Sequence, residues 1–220
     1  MSDDTLVKWW PLLAGTTASE VTDELYEWAA PVDRAELEAQ YKKLDAALVM
    51  RVRSGKHAKE DQGAKSKAVG AAFEAMLRVL FNSSGSLRVK SNVRTTANEI
   101  DMLVTIDPSG VIIPVLRAIG THFICEAKCH TKAPSATLVN GVVGFLELQS
   151  ATFAILFVFC TSRALHRDAR TAIAMHWMKG VSVVPMGRKQ LEAIRKGAAF
   201  LRVLTDQHVE AANHITQLAV

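Results

Sequence analysis

Asn98-Glu99-Ile100-Asp101-Met102-Leu103-Val104 and Phe123-Ile124-Cys125-Glu126-Ala127-Lys128 are two short apolar runs, each with an acid where the run meets polar sequence. Both lengths suit strands. Side chains two apart on a strand share a face, so Glu126 and Lys128 point the same way. His130 follows them if the strand continues, whereas Cys125, Ala127 and Cys129 face the other side. Burying charge is costly unless the charge is paired or holds a metal. A lone Glu-x-Lys reads most simply as an ion pair at a strand end. A second carboxylate delivered by a neighbouring strand changes that reading. Converging carboxylate oxygens make a hard site that favours Mg2+, with phosphate oxygens and water completing the shell.

Working outward, Phe73, Leu77, Leu80 and Phe81 recur at helical spacing and predict a helix over 71–81. The turn residues Asn82 to Gly85 end it. Leu87 to Val93 and Glu99 to Ile106 read as strands separated by Thr95-Thr96-Ala97-Asn98, and Asp107-Pro108-Ser109-Gly110 closes the second. Beyond the third strand, 122–127, the pattern gives a helix over 137–149, a buried strand over 153–159, a helix over 165–179 and a short strand over 181–184. Helical segments follow around Leu191 and over 208–218. The apolar run from Ala151 to Cys160 is about half of the roughly 20 residues that cross a bilayer, so no membrane partner is expected. The order helix, three strands, helix, strand, helix, strand predicts an α/β fold with a mixed sheet flanked by helices on both faces.

The first third reads as helical. Leu25, Trp28 and Ala29 share one face before Pro31, and Leu37, Tyr41, Leu44 and Leu48 make an apolar stripe. Asp33 with Glu36 fits an N-cap and a reaching-back carboxylate. Ser54 to Lys67 has almost nothing to bury and reads as a hinge or loop. Trp9 and Trp10 read as packing residues of this arm. Residues 1–62 are therefore taken as an N-terminal helical arm and 63–220 as the main domain.

Composition excludes wholesale disorder, with 49% hydrophobic and 22% charged residues. A net charge of +4 favours an acidic partner without deciding one. The charge is uneven: 23–45 is acidic and 51–94 is basic. The basic stretch fits either a solvated helix face beside a polar linker or a footprint for a phosphate backbone. Three cysteines, Cys125, Cys129 and Cys160, and the acidic Met1-Ser2-Asp3-Asp4, unlike an export signal, predict a reducing cytoplasm. Zinc at Cys125, Cys129 and His130 is set aside, because strand alternation separates the thiols from His130 and a fourth ligand is missing. Gly141 and Gly144 are expected to let their helix pack closely on the sheet. Gln149 is a candidate to face the site, against ordinary solvent exposure.

The arrangement resembles the PD-(D/E)XK superfamily of restriction-endonuclease-like nucleases. Asp101 matches the first acid, Glu126-Ala127-Lys128 matches the acid-x-lysine element, and Gly70-x-x-Phe73-Glu74-x-x-Leu77 looks like the preceding helix. The resemblance spans 70–184. Ile100 stands where the motif's name has proline, and Asp107-Pro108 has the reverse order and lies in a turn. The resemblance implies an αβββαβ core and Mg2+-dependent hydrolysis of DNA phosphodiesters, with Mn2+ able to substitute. Asp101 and Glu126 would hold one or two ions, and Glu74 would either add a ligand or be a surface carboxylate. Lys128 would orient or deprotonate the attacking water, or stabilise charge on the phosphate. Glu99 would support Asp101 or stay a solvated turn residue. Arg88, Lys90, Arg94 and Lys132 flank the site as candidate backbone contacts. DNA is expected ahead of RNA, in restriction, phage defence or repair, and a homodimer is expected because one such site cuts one strand at a time. The alternative is a catalytically silent nucleic-acid-binding or scaffold protein with the same fold.

Overall fold

The computed structural model describes residues 22–53, 59–82, 85–94, 99–129, 133–159 and 165–218. Trp9, Trp10, His130, Lys132 and Cys160 lie outside them, and so do the roles expected for them.

Helix α1 (Asp23–Ala29) starts at Thr22, whose hydroxyl accepts the Leu25 N–H, and buries Leu25, Tyr26 and Ala29. Helix α2 (Arg34–Arg53) starts at Asp33, whose carboxylate accepts the Glu36 N–H at 2.9 Å. Glu36 does not reach back to complete the box; it accepts from Gln40 one turn on. Leu37, Tyr41 and Leu44 are buried, as the stripe predicts. Helix α3 (Lys59–Asn82) corrects the loop expected over 54–67, because from Lys59 onward the chain is helical. Lys, Glu, Gln and Ala favour helix without burial, and Gly63, Ala64, Ser66, Lys67 and Ala68 are exposed before packing begins at Val69. From Lys59 onward, absence of apolar residues did not mean irregular backbone. The division expected at 62/63 falls inside α3, and Leu25 to Leu44 share a core cluster with Phe73 to Phe81.

Strands β1 (Leu87–Arg94) and β2 (Glu99–Ile106) pair antiparallel, and β2 pairs antiparallel with β3 (His122–Lys128). Between β2 and β3 lie a 3-10 turn (Pro108–Ile112) and a short helix, α4 (Pro114–Ile119). The sequence reading missed α4, which is six residues long and buries only Val115, Leu116 and Ile119. Helix α5 (Ala136–Leu148) then carries the chain to β4 (Phe153–Val158), and α6 (Arg167–Trp177) to β5 (Ser182–Met186). Helices α7 (Arg188–Arg195) and α8 (Phe200–Leu218) follow.

The sheet order is β1-β2-β3-β4-β5, with β3, β4 and β5 parallel. The protein is thus α/β, a five-stranded mixed sheet with helices on both faces. All six residues of β4 are buried, as expected of a parallel strand covered on both sides. One core cluster joins the sheet to α1, α2, α3 and α8. In it Phe81 meets Phe123, Phe157 and Phe200 at 5.4 to 6.3 Å between ring centres. The other joins the sheet to α5 and α6. Among the described residues, no helix is long and apolar enough to cross a membrane.

Candidate active site

Strands β2 and β3 pair from Thr105–His122 to Met102–Cys125, and there the ladder stops. Where it stops, side chains replace it. The Asp101 carboxylate (Oδ2) accepts the Ala127 backbone N–H at 2.7 Å. Lys128 donates to Glu126 Oε1 and lies 3.7 Å from Asp101 Oδ2. Strand alternation brings Glu126 and Lys128 to one face, as the sequence implied, while Cys125 and Ala127 pack in the cluster on the other. Cys125 is fully buried, which pushes its thiol well above the ordinary range.

Glu126 is 4% exposed, and its Oε2 is buried with no hydrogen-bond partner. Burial, and next the neighbouring Asp101 carboxylate, push its pKa up to about 7, against the opposing pull of Lys128. Burial alone would drive the Lys128 ammonium down, but Glu126 and Asp101 together hold it above its usual value. Two carboxylates and one ammonium thus crowd the rim between β2 and β3. An orphaned, buried acceptor beside a second carboxylate is the donor set a hard divalent cation fits, needing only one or two protein oxygens. Asp101 and Glu126 are the residues that would hold it.

Glu74 approaches from α3. Its pKa is raised, first by burial and then by Asp101, while Arg78 and Lys128 oppose. It therefore shares the electrostatic environment of the site. Among the described residues no three His, Cys, Asp or Glu side chains gather as a group that could hold a metal. Arg78, one turn beyond Glu74, places Nη2 3.5 Å from Glu74 Oε2, and its own Nε is buried without an acceptor. Sequence reading passed over Arg78, although its i+4 spacing from Glu74 was the available signal. Glu99 is exposed and adds to the negative field at Glu74.

Arg88, Lys90 and Arg94 are exposed at alternate positions of β1. Arg88 is held by Asp107 through two hydrogen bonds of 2.8 and 2.9 Å, which raise the arginine and lower the aspartate. Lys90 and Arg94 have no carboxylate partner among the described residues. Gln149 lies at the far end of β3 from Lys128, where its carbonyl accepts from His122 Nε2 at 3.0 Å. A Cβ added at Gly141 or Gly144 would meet open space, so neither glycine serves the close helix–sheet approach expected of it. Leu146, Val142 and Val139 make that contact instead.

A concavity of about 770 Å³ lies between α5 and α6 against Asn140, His166, Asp168 and His176, and its lining includes none of Asp101, Glu126 and Lys128. Its polar groups are largely satisfied by one another: His166 pairs with Asp168 at 2.6 Å and His176 with Asn140 at 2.8 Å. Chemistry rather than cavity size selects the β2–β3 rim. Comparison of the chain with protein-family models, curated proteins and solved structures gave no match.

Proposed function

We propose that the protein is a metal-dependent nuclease of the restriction-endonuclease-like type that hydrolyses phosphodiester bonds of DNA. The observation that carries this reading is the meeting of Asp101, Glu126 and Lys128 where the β2–β3 ladder ends, with one Glu126 oxygen buried and unpaired. Helix α3, the three antiparallel strands, α5 and β4 come in the order expected of an αβββαβ core, which supports the same reading.

Bound Mg2+, or Mn2+ in its place, would supply Lewis-acid polarisation of the scissile phosphate and acidify water at the site. Asp101 and Glu126 would hold it, and the Asp101–Ala127 bond fixes the first of these carboxylates against β3. Lys128, an ammonium held between two carboxylates, would stabilise negative charge developing on the phosphate. Glu74 modulates the field from α3, and Arg78 favours its ionised form against burial and Asp101. Lys90 and Arg94, both exposed on β1, would meet the nucleic-acid backbone, and Lys132, beyond the described residues, keeps the backbone role expected of it. A homodimer would place two such sites for a double-strand cut, and a cytoplasmic role in restriction, phage defence or repair fits this chemistry.

Incubation with plasmid, linear and single-stranded DNA and with RNA, in Mg2+, Mn2+ or EDTA, tests the reading beside Lys128→Ala. Cleavage that needs a divalent ion and is lost in the variant is the expected result. Cleavage that ignores EDTA, or no cleavage of any substrate, rejects it.

A further inference from the structure

Within β2, Asp101 alone has no cross-strand partner on either side. The β1–β2 pairing runs from Leu87–Ile106 to Ser91–Met102, lapses at Asn92 opposite Asp101, and resumes in the same register at Val93–Ile100. Because the register is unchanged, no residue has been inserted, so this is not an ordinary bulge. The backbone of Asn92 is left-handed, with φ of 53°. Asn is one of the few residues besides Gly that tolerates that region.

Past this point the faces of the hairpin exchange. A period of two would put Val89 with Val93, and Met102 and Val104 with Ile100, on one side of the sheet. Instead Val89, Met102 and Val104 belong to the cluster under α3, whereas Val93 and Ile100 pack in the cluster under α5. The left-handed residue thus turns over the outer end of β1–β2, and Asp101 sits at the pivot. Freed from both ladders, its carboxylate takes the Ala127 N–H and stands 3.7 Å from Lys128. The Asn92 side chain itself is exposed.

We infer that Asn92 is a positioning residue: its left-handed backbone turns the hairpin so that Asp101 leaves the ladder and presents its carboxylate to β3 beside Lys128. The functional weight of this inference rests on the proposed role of Asp101, but its geometry does not. Asn92→Gly keeps the backbone conformation and removes the side chain. Asn92→Ala strains it mildly, and Asn92→Val strains it most, because a β-branched residue resists positive φ.

Two readouts separate the claims. Hydrogen exchange of the Ala127 amide, without divalent ion, reports its bond to Asp101; Mn2+ titration by calorimetry reports the site. Asn92→Gly is expected to match the native protein within about twofold in both, whereas Asn92→Val exchanges about tenfold faster and binds Mn2+ correspondingly more weakly. Urea unfolding of each variant corrects for global stability. Should Asn92→Val fail to fold, the order Gly then Ala carries the same information. Equal protection of Ala127 in all variants overturns the inference, as does loss in Asn92→Gly, which would assign the effect to the side chain. If the native protein binds no Mn2+ but exchange follows the expected order, the metal reading fails and the positioning role stands.

Discussion

Lys128 holds the Glu126 carboxylate by one oxygen only; Oε1 receives the ammonium, and Oε2 is buried without a donor. A pair built for stability would satisfy both oxygens, since a buried charge left partly unpaired is costly. The arrangement therefore leaves one carboxylate oxygen unpaired at a cost in stability. The Asp101→Asn variant retains an acceptor for the Ala127 N–H and relieves repulsion against Glu126. It should leave the apo protein within about 1 kcal/mol of native by urea unfolding, yet lower cleavage by about 100-fold or more. Lys128→Ala removes the ammonium that faces both carboxylates and should cost the apo protein about 3 kcal/mol or more.

Glu126 also sets a pH dependence. With its pKa near 7 in the folded protein, against 4.5 for the free side chain, the folded state retains a proton that the unfolded chain has released. Stability from this group is full below about pH 4.5 and declines as pH rises toward 7. The loss should amount to roughly 1–3 kcal/mol between pH 5 and pH 8. Urea unfolding at the two pH values measures it. Glu126→Gln should flatten the slope, and millimolar Mg2+ should offset the loss at pH 8 by binding the ionised form. An unchanged slope in Glu126→Gln would place the titration elsewhere.

On β1 the three basic residues are not equivalent. Arg88 is already committed to Asp107, whereas Lys90 and Arg94 have no such partner among the described residues. Replacing Lys90 or Arg94 by Ala should reduce the slope of log affinity against log salt by about 1 each, uniformly across sequences. Arg88→Ala should change it less. Fluorescence anisotropy with a labelled duplex at several salt concentrations distinguishes them.

Phe81 lies where α3, the sheet and α8 meet, against Phe123, Phe157 and Phe200. Phe81→Ala should destabilise by about 3–5 kcal/mol, read from urea unfolding. Glu74→Gln, about two turns before Phe81 on the same helix, should leave stability nearly unchanged while lowering cleavage.

Much of this architecture was legible because it depends on period. Alternation placed Glu126 with Lys128 and apart from Cys125, and helical spacing gave α2, the packed half of α3, α5 and α6. What escaped depended on other physics. Lys59 to Ala68 forms helix with no apolar face in its sequence to betray it. Helix α4 is too short to show a period. Arg78 matters through a single contact with Glu74, and Asn92 through a dihedral angle, which no pattern of polar and apolar residues encodes.

β1 is an outer strand of the sheet, and its rim bears Arg88, Lys90, Asn92 and Arg94 in alternation. A foreign strand docking there would meet like charges and the left-handed backbone of Asn92, which blunts templated growth into fibrils. The same rim discourages two copies from joining sheet to sheet across β1. The homodimer proposed above would then have to form through helical surfaces, and a variant that smooths this rim should aggregate before it dimerises.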